Sequence, residues 1–135
     1  MSRFLYILII ALILIFSVST FGQDRVRDST DRVTATVYNA VVEQCNSDPE
    51  HTAFMFKLDL SNPYKHRIIA VSRDLLTKYP KGTRVCISGT KYDGEYIVMD
   101  KMNKRYTNRI DILINQGMPL GKWHNVKIRK IDESK

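Results

Sequence analysis

YIVMDKMNKRYTNRIDILI, residues 96–114, decides how the rest of the chain is read. Two β-rich runs, 96–99 and 110–114, flank a polar connection carrying Lys101, Lys104, Arg105 and Arg109 together with Asn103 and Asn108. Each run brings one aspartate: Asp100 stands at the end of the first, directly after Met99, and Asp111 sits inside the second between Ile110 and Ile112. Aspartate is a poor strand former, so Asp111 points to a use beyond folding. Side chains alternate between the faces of a strand, so Asp111 projects away from its two isoleucines, toward solvent or a groove. A solvated carboxylate on an edge strand is the plainer alternative.

Outward from that stretch, short strand signals recur between turns. VTATVYNAVV (33–42) is rich in β-branched residues, with Val33, Ala35 and Val37 on one face. EQCNSDPE (43–50) is a turn cluster, and residues 51–60 alternate too imperfectly to choose between loop and short strand. RIIAV (67–71) has the apolar character of a buried strand. Ser72 then stands where an N-cap would, predicting one or two helical turns over 73–78 before Tyr79-Pro80-Lys81-Gly82 stops them. TRVCIS (83–88) alternates, Asp93-Gly94 suits a two-residue hairpin turn, and a last strand runs over 123–131. Six or so short strands, one short helix and turns about every ten residues predict a mainly β fold, a small barrel rather than βαβ units.

The 135 residues hold one domain. Residues 1–23 read as a targeting segment: Arg3 supplies the positive start, residues 4–16 are continuously apolar, and small residues follow. Thirteen residues span about 20 Å as a helix, short of a roughly 30 Å hydrocarbon core, whereas extending the run to Phe21 makes an uncleaved anchor. Either way the remainder is expected to be exported, periplasmic or extracellular. Residues 24–32 read as a flexible tether, 33–131 as the barrel and 132–135 as a tail. Arg3 is the one charge in the segment, so the net charge of +7 becomes +6 without it. Export turns that basic balance away from nucleic acid and toward an anionic wall polymer or a membrane surface, the membrane entering only if the N-terminus is retained. Cys45 and Cys86 are open to one disulfide or to two separate thiols. His51, His66 and His124 are scattered and no Cys/His spacing fits a metal, so neither metal nor cofactor is expected.

The order of these pieces resembles the double-psi β-barrel of the three-aspartate domains. It is similar to the barrel of membrane-bound lytic transglycosylase A, to the stationary-phase survival wall enzymes and, more distantly, to rare-lipoprotein-A proteins. The matching pieces are Thr34-Ala35-Thr36-Val37-Tyr38, Ser47-Asp48-Pro49 with Thr52-Ala53, Ile69-Ala70-Val71, residues 81–87, Val98-Met99-Asp100 and Asn108-Arg109-Ile110-Asp111-Ile112. Two departures stand out. Ser72 occupies the place of the family's first aspartate, and Lys101-Met102-Asn103 replaces its Thr-Gly-Gly.

The resemblance implies a six-stranded double-psi β-barrel that works on peptidoglycan glycan strands. It implies cleavage as a lytic transglycosylase, or, with one aspartate gone, a wall-binding module on the same barrel. Such cleavage runs on one carboxyl group that must be protonated near neutral pH. Asp111 is expected to be that acid/base, with Asp100 tuning or orienting it. Asp48, Thr52, Ser72, Lys104 and Arg109 are the expected substrate contacts, although Asp48 before Pro49 also reads as a turn residue and the two cations as solvated charges. Tyr106 and Trp123 could stack on sugars or belong to the core.

Overall fold

A computed structural model describes residues 29–41 and 48–132. Six strands form the architecture: β1 (Asp31–Asn39), β2 (Ile68–Val71), β3 (Arg84–Ser88), β4 (Gly94–Lys101), β5 (Arg109–Ile114) and β6 (Lys122–Lys130). They close into a barrel in the order β1-β5-β2-β4-β3-β6. β1·β5 and β2·β4 are parallel and the other pairs antiparallel. Exchanging β1 with β4, β2 with β5 and β3 with β6 maps every pair onto a pair of the same sense. The barrel is thus two interlocked three-strand halves, the mixed six-stranded arrangement of a double-psi fold. Closure leaves no sheet edge unpaired.

Two apolar clusters hold it. The inner one fills the barrel with Val33, Ala35, Ile69, Val71, Val85, Ile87, Val98, Ile110, Ile112 and Ile114 among others. The outer one lies between the strands and the 48–62 segment, where Tyr38, Ile68, Ala70 and Leu113 meet Leu58 and Met102. This second layer explains why all four residues of β2 are buried: Ile69 and Val71 face inward, Ile68 and Ala70 face the covering segment.

Several local expectations change. β1 begins at Asp31, inside the expected tether, because Asp31 and Arg32 pair with Ile128 and Lys127 of β6. No α-helix follows Ser72; the segment is a 3₁₀ turn, Arg73–Leu75. Ser72 does not cap it, because its hydroxyl instead accepts the N–H of Arg109 at 3.0 Å, tying β2 to β5. The 51–60 segment is irregular, with one isolated bridge between His51 and Lys57. The β3–β4 hairpin has a five-residue loop, not a two-residue turn. The Asp93 carboxylate organises it by accepting from the N–H groups of Gly89 (3.1 Å) and Thr90 (2.7 Å).

Gly94 opens β4 at φ +132°, where a Cβ would stand 2.8 Å from the Arg67 guanidinium. That guanidinium is clamped over the rings of Tyr64 and Tyr96 and donates to the Glu95 carbonyl. Gly94→Ala should therefore cost about 2–3 kcal/mol in urea melts. Gly117→Ala, at φ +84° in open space, should cost about 1 kcal/mol. Equal losses would mean that the Arg67 clamp gives way freely.

Candidate functional site

Register assembles the site. Across four adjacent strands Thr36 lies opposite Asp111, Asp111 opposite Ala70, and Ala70 opposite Asp100. These outward-facing positions form the floor of an open groove of about 700 Å³. Ala70 is the small residue between the two carboxylates, which therefore stand two strand spacings apart, about 10 Å between Cα atoms.

The two aspartates have different surroundings. Asp100 is fully engaged: its Oδ1 accepts the N–H groups of Ala53 (2.8 Å) and Lys101 (2.9 Å), and its Oδ2 accepts the Tyr38 hydroxyl (2.9 Å). It pins the covering segment to the end of β4. Burial pushes its pKa above the ordinary carboxylate value, against the pull of those donors.

Asp111 has one side-chain donor, the Thr36 hydroxyl at 3.0 Å on Oδ1. Burial raises its pKa to about 6, opposed by Thr36 and by the charge of Arg109. The Asp100 charge adds to the rise but is the smallest of these influences. Tuning of Asp111 by Asp100, expected from the sequence, is thus secondary to desolvation by the groove itself.

One wall is cationic and aromatic. The guanidinium carbons of Arg105 and Arg109 stand over the Tyr106 ring at 4.7 and 4.8 Å. Lys101 stands over Phe54 at 6.0 Å. This wall comes from the 101–109 connection, which Asp74 steadies by accepting the N–H of Asn108 at 2.9 Å.

Of the expected site residues, Asp48, Thr52, Asp100, Arg109 and Asp111 line this one groove. Asp48 also acts as a turn residue, accepting the Glu50 N–H at 3.2 Å and lying 3.2 Å from the His51 ring nitrogen. The Thr52 hydroxyl is occupied by the N–H of Phe56 at 3.2 Å. Ser72 is fully buried behind the groove in the β2–β5 clip, and Lys104 is exposed outside the lining. Trp123 packs edge-on against Tyr92, 6.1 Å between centroids, on the inner cluster and not in the groove. Cys86 is a half-buried thiol on β3 without a disulfide to a described residue; Cys45, and with it the expected pairing, lies outside the described residues. Among the described residues no group of three or more His, Cys, Asp or Glu could hold a metal.

Sequence reasoning passed over Thr36, Tyr38 and Ala70 as site residues. Parity would have found the first two: once Val33 and Ala35 face inward, alternation puts Thr36 and Tyr38 on the outer face. Ala70 needed the strand order as well.

No protein-family model matches the chain, and no curated protein matches it. Among solved structures it is similar to the crystal structure of a mutant Clavibacter michiganensis expansin in complex with cellohexaose. The TM-score is 0.47 and the identity 15%, over 78% of this chain and 52% of that one. The chain therefore spans about half the length of that expansin.

Proposed function

We propose that this barrel acts on a cell-wall glycan, peptidoglycan, by lytic transglycosylase chemistry with Asp111 as the single acid/base. The observation that carries this reading is the Asp111 carboxyl group in an open groove, its pKa raised by burial to about 6 and the group left with one hydrogen-bond donor from the protein. Asp100 is unsuited to act as a second reacting group because three donors occupy it. Two-carboxylate hydrolysis needs a nucleophile or a water-activating base beside the acid, so one-carboxyl chemistry fits better. Arg105, Arg109 and Lys101 on the rim suit a glycan that carries carboxylates, as muramoyl lactyl groups and stem peptides do.

In the proposed step, protonated Asp111 gives its proton to the glycosidic oxygen as the C1–O bond of the muramoyl residue breaks. The glucosaminyl hydroxyl leaves. The Asp111 carboxylate then removes the proton of the muramoyl C6 hydroxyl while that oxygen bonds to C1. A 1,6-anhydro ring forms, the acid is restored and no water is consumed. Thr36 keeps Oδ1 occupied, leaving Oδ2 for the substrate.

A binding module is the second reading. It is favoured by Ser72, whose buried hydroxyl cannot reach the groove and so leaves Asp111 without a partner of the kind the three-aspartate pattern supplies.

Incubation with peptidoglycan sacculi and mass spectrometry of the soluble products tests both. Anhydromuramoyl products from the wild type, reduced by 10²–10⁴ in Asp111→Asn, are expected. Pelleting with sacculi without release would make the protein a binder, and neither release nor pelleting would remove peptidoglycan as its ligand.

A further inference from the structure

Across the barrel from the groove, the outer faces of β1, β6 and β3 form a second concavity of about 420 Å³, lined by Thr30, Arg32, Cys86, Ser88, Lys127 and Arg129. Val126 and Ile128 point into the core, so alternation turns Lys127 and Arg129 outward. Register then places Arg32 opposite Lys127, Lys127 opposite Ser88 and Arg129 opposite Cys86. Among the described residues no carboxylate pairs with Arg32, Lys127 or Arg129; the ion pair nearby, Arg84 with Glu95, lies at the margin. Like charges directly opposite one another weaken a strand pair. A face that keeps Arg32 against Lys127 gains by meeting an external anion.

The position of this face in the chain says which anion. Thr30 lines it and β1 starts at Asp31, so the path from the apolar run of residues 4–16 is 14 residues, 17–30. That path reaches at most about 50 Å. A chain held in a bilayer by the apolar run would keep this face, which lies where the linking path enters the barrel, within reach of the headgroups.

We propose that the β1–β6–β3 face docks on the anionic headgroups of the bilayer to which the N-terminal run tethers the chain. Arg32, Lys127 and Arg129 together shift the docking equilibrium by about a hundredfold at physiological salt. The attraction acts within a Debye length of about 8 Å, so it requires contact of the face itself.

The full chain, with Cys45→Ser, is reconstituted in vesicles of phosphatidylcholine alone or mixed with phosphatidylglycerol. The rate at which Cys86 reacts with a membrane-impermeant maleimide reports whether the face is covered. Ser88→Cys with Cys86→Ser, its thiol exposed on the same face, repeats the measurement without dependence on the half-buried Cys86. Labelling on anionic vesicles is expected to slow about tenfold and to recover at high salt or in the exposed double variant K127E/R129E, whose melting temperature serves as the folding control. Equal labelling on neutral and anionic vesicles overturns the proposal. Protection by sacculi but not by anionic vesicles overturns it equally, assigning the face to a wall polymer.

Discussion

Asp111→Asn should make the barrel more stable at pH 7 while removing its chemistry. The folded-state pKa of Asp111, about 6, lies above the value near 3.8 of an unperturbed aspartate. Below about pH 4 the group is protonated in both folded and unfolded chains and contributes no difference. Between about pH 4 and 6 the folded chain retains a proton that the unfolded chain has released, so stability falls as pH rises. Above pH 6 both forms are ionised and the burial penalty is complete, about 2–3 kcal/mol for a shift of this size on a partly wet group. Asparagine carries no charge to desolvate, and its Oδ1 still accepts from Thr36. Melts of both proteins at pH 4, 5, 6 and 7.5 should therefore diverge with rising pH, the variant being the more stable at pH 7.5. Taking the difference between the curves removes the opposing slope from Asp31 and Asp59, whose hydrogen-bonded ion pairs with Lys78 and Lys65 lower their pKa values. A difference flat across this range would mean that Asp111 is not desolvated, and the acid/base role would fall with it. Gain of stability with loss of cleavage is the signature of a group whose strain serves function.

Asp100→Ala should do the reverse, costing about 2–4 kcal/mol through the loss of an anchor. Three donors would lose their acceptor together, among them the hydroxyl of the buried Tyr38. The 48–62 segment would lose its tie to β4, and the outer cluster under Leu58 would loosen. Asp100→Asn should cost under about 1 kcal/mol, because its oxygen keeps both N–H groups and its amide can donate to the tyrosine. Hydrogen exchange at the Ala53 amide checks the mechanism: protection should drop in the alanine variant and persist in the asparagine one. Equal losses in the two variants would show that charge, not hydrogen-bond capacity, holds the segment. If Asp100→Asn also keeps glycan activity that Asp111→Asn lacks, the two carboxylates are separated into support and chemistry.

Much of the barrel was readable from alternation and turn chemistry, because an inward face demands apolar residues at every second position. Ile110, Ile112 and Ile114 marked β5, Val85 and Ile87 marked β3, and both matched the inner cluster. The 48–62 segment was harder to read: Phe54, Phe56 and Leu58 alternate as a strand would, yet the segment forms one isolated bridge, and what covers Phe56 and Leu58 is contact with strands distant in sequence. Ser72 misled because its local signal, an N-cap before a helix former, competes with a long-range partner, the Arg109 N–H, that local reading cannot see.

By itself the sequence determined that Asp111 faces outward from a strand of isoleucines, since that follows from the two-residue period of the backbone. Tertiary structure decided everything about its chemistry. The row Thr36–Asp111–Ala70–Asp100 exists only because the barrel, through two parallel pairings and one antiparallel pairing, brings together residues that lie 30 to 75 positions apart in the chain. Burial, which sets a pKa, is a property of that assembled groove and not of any stretch within the chain.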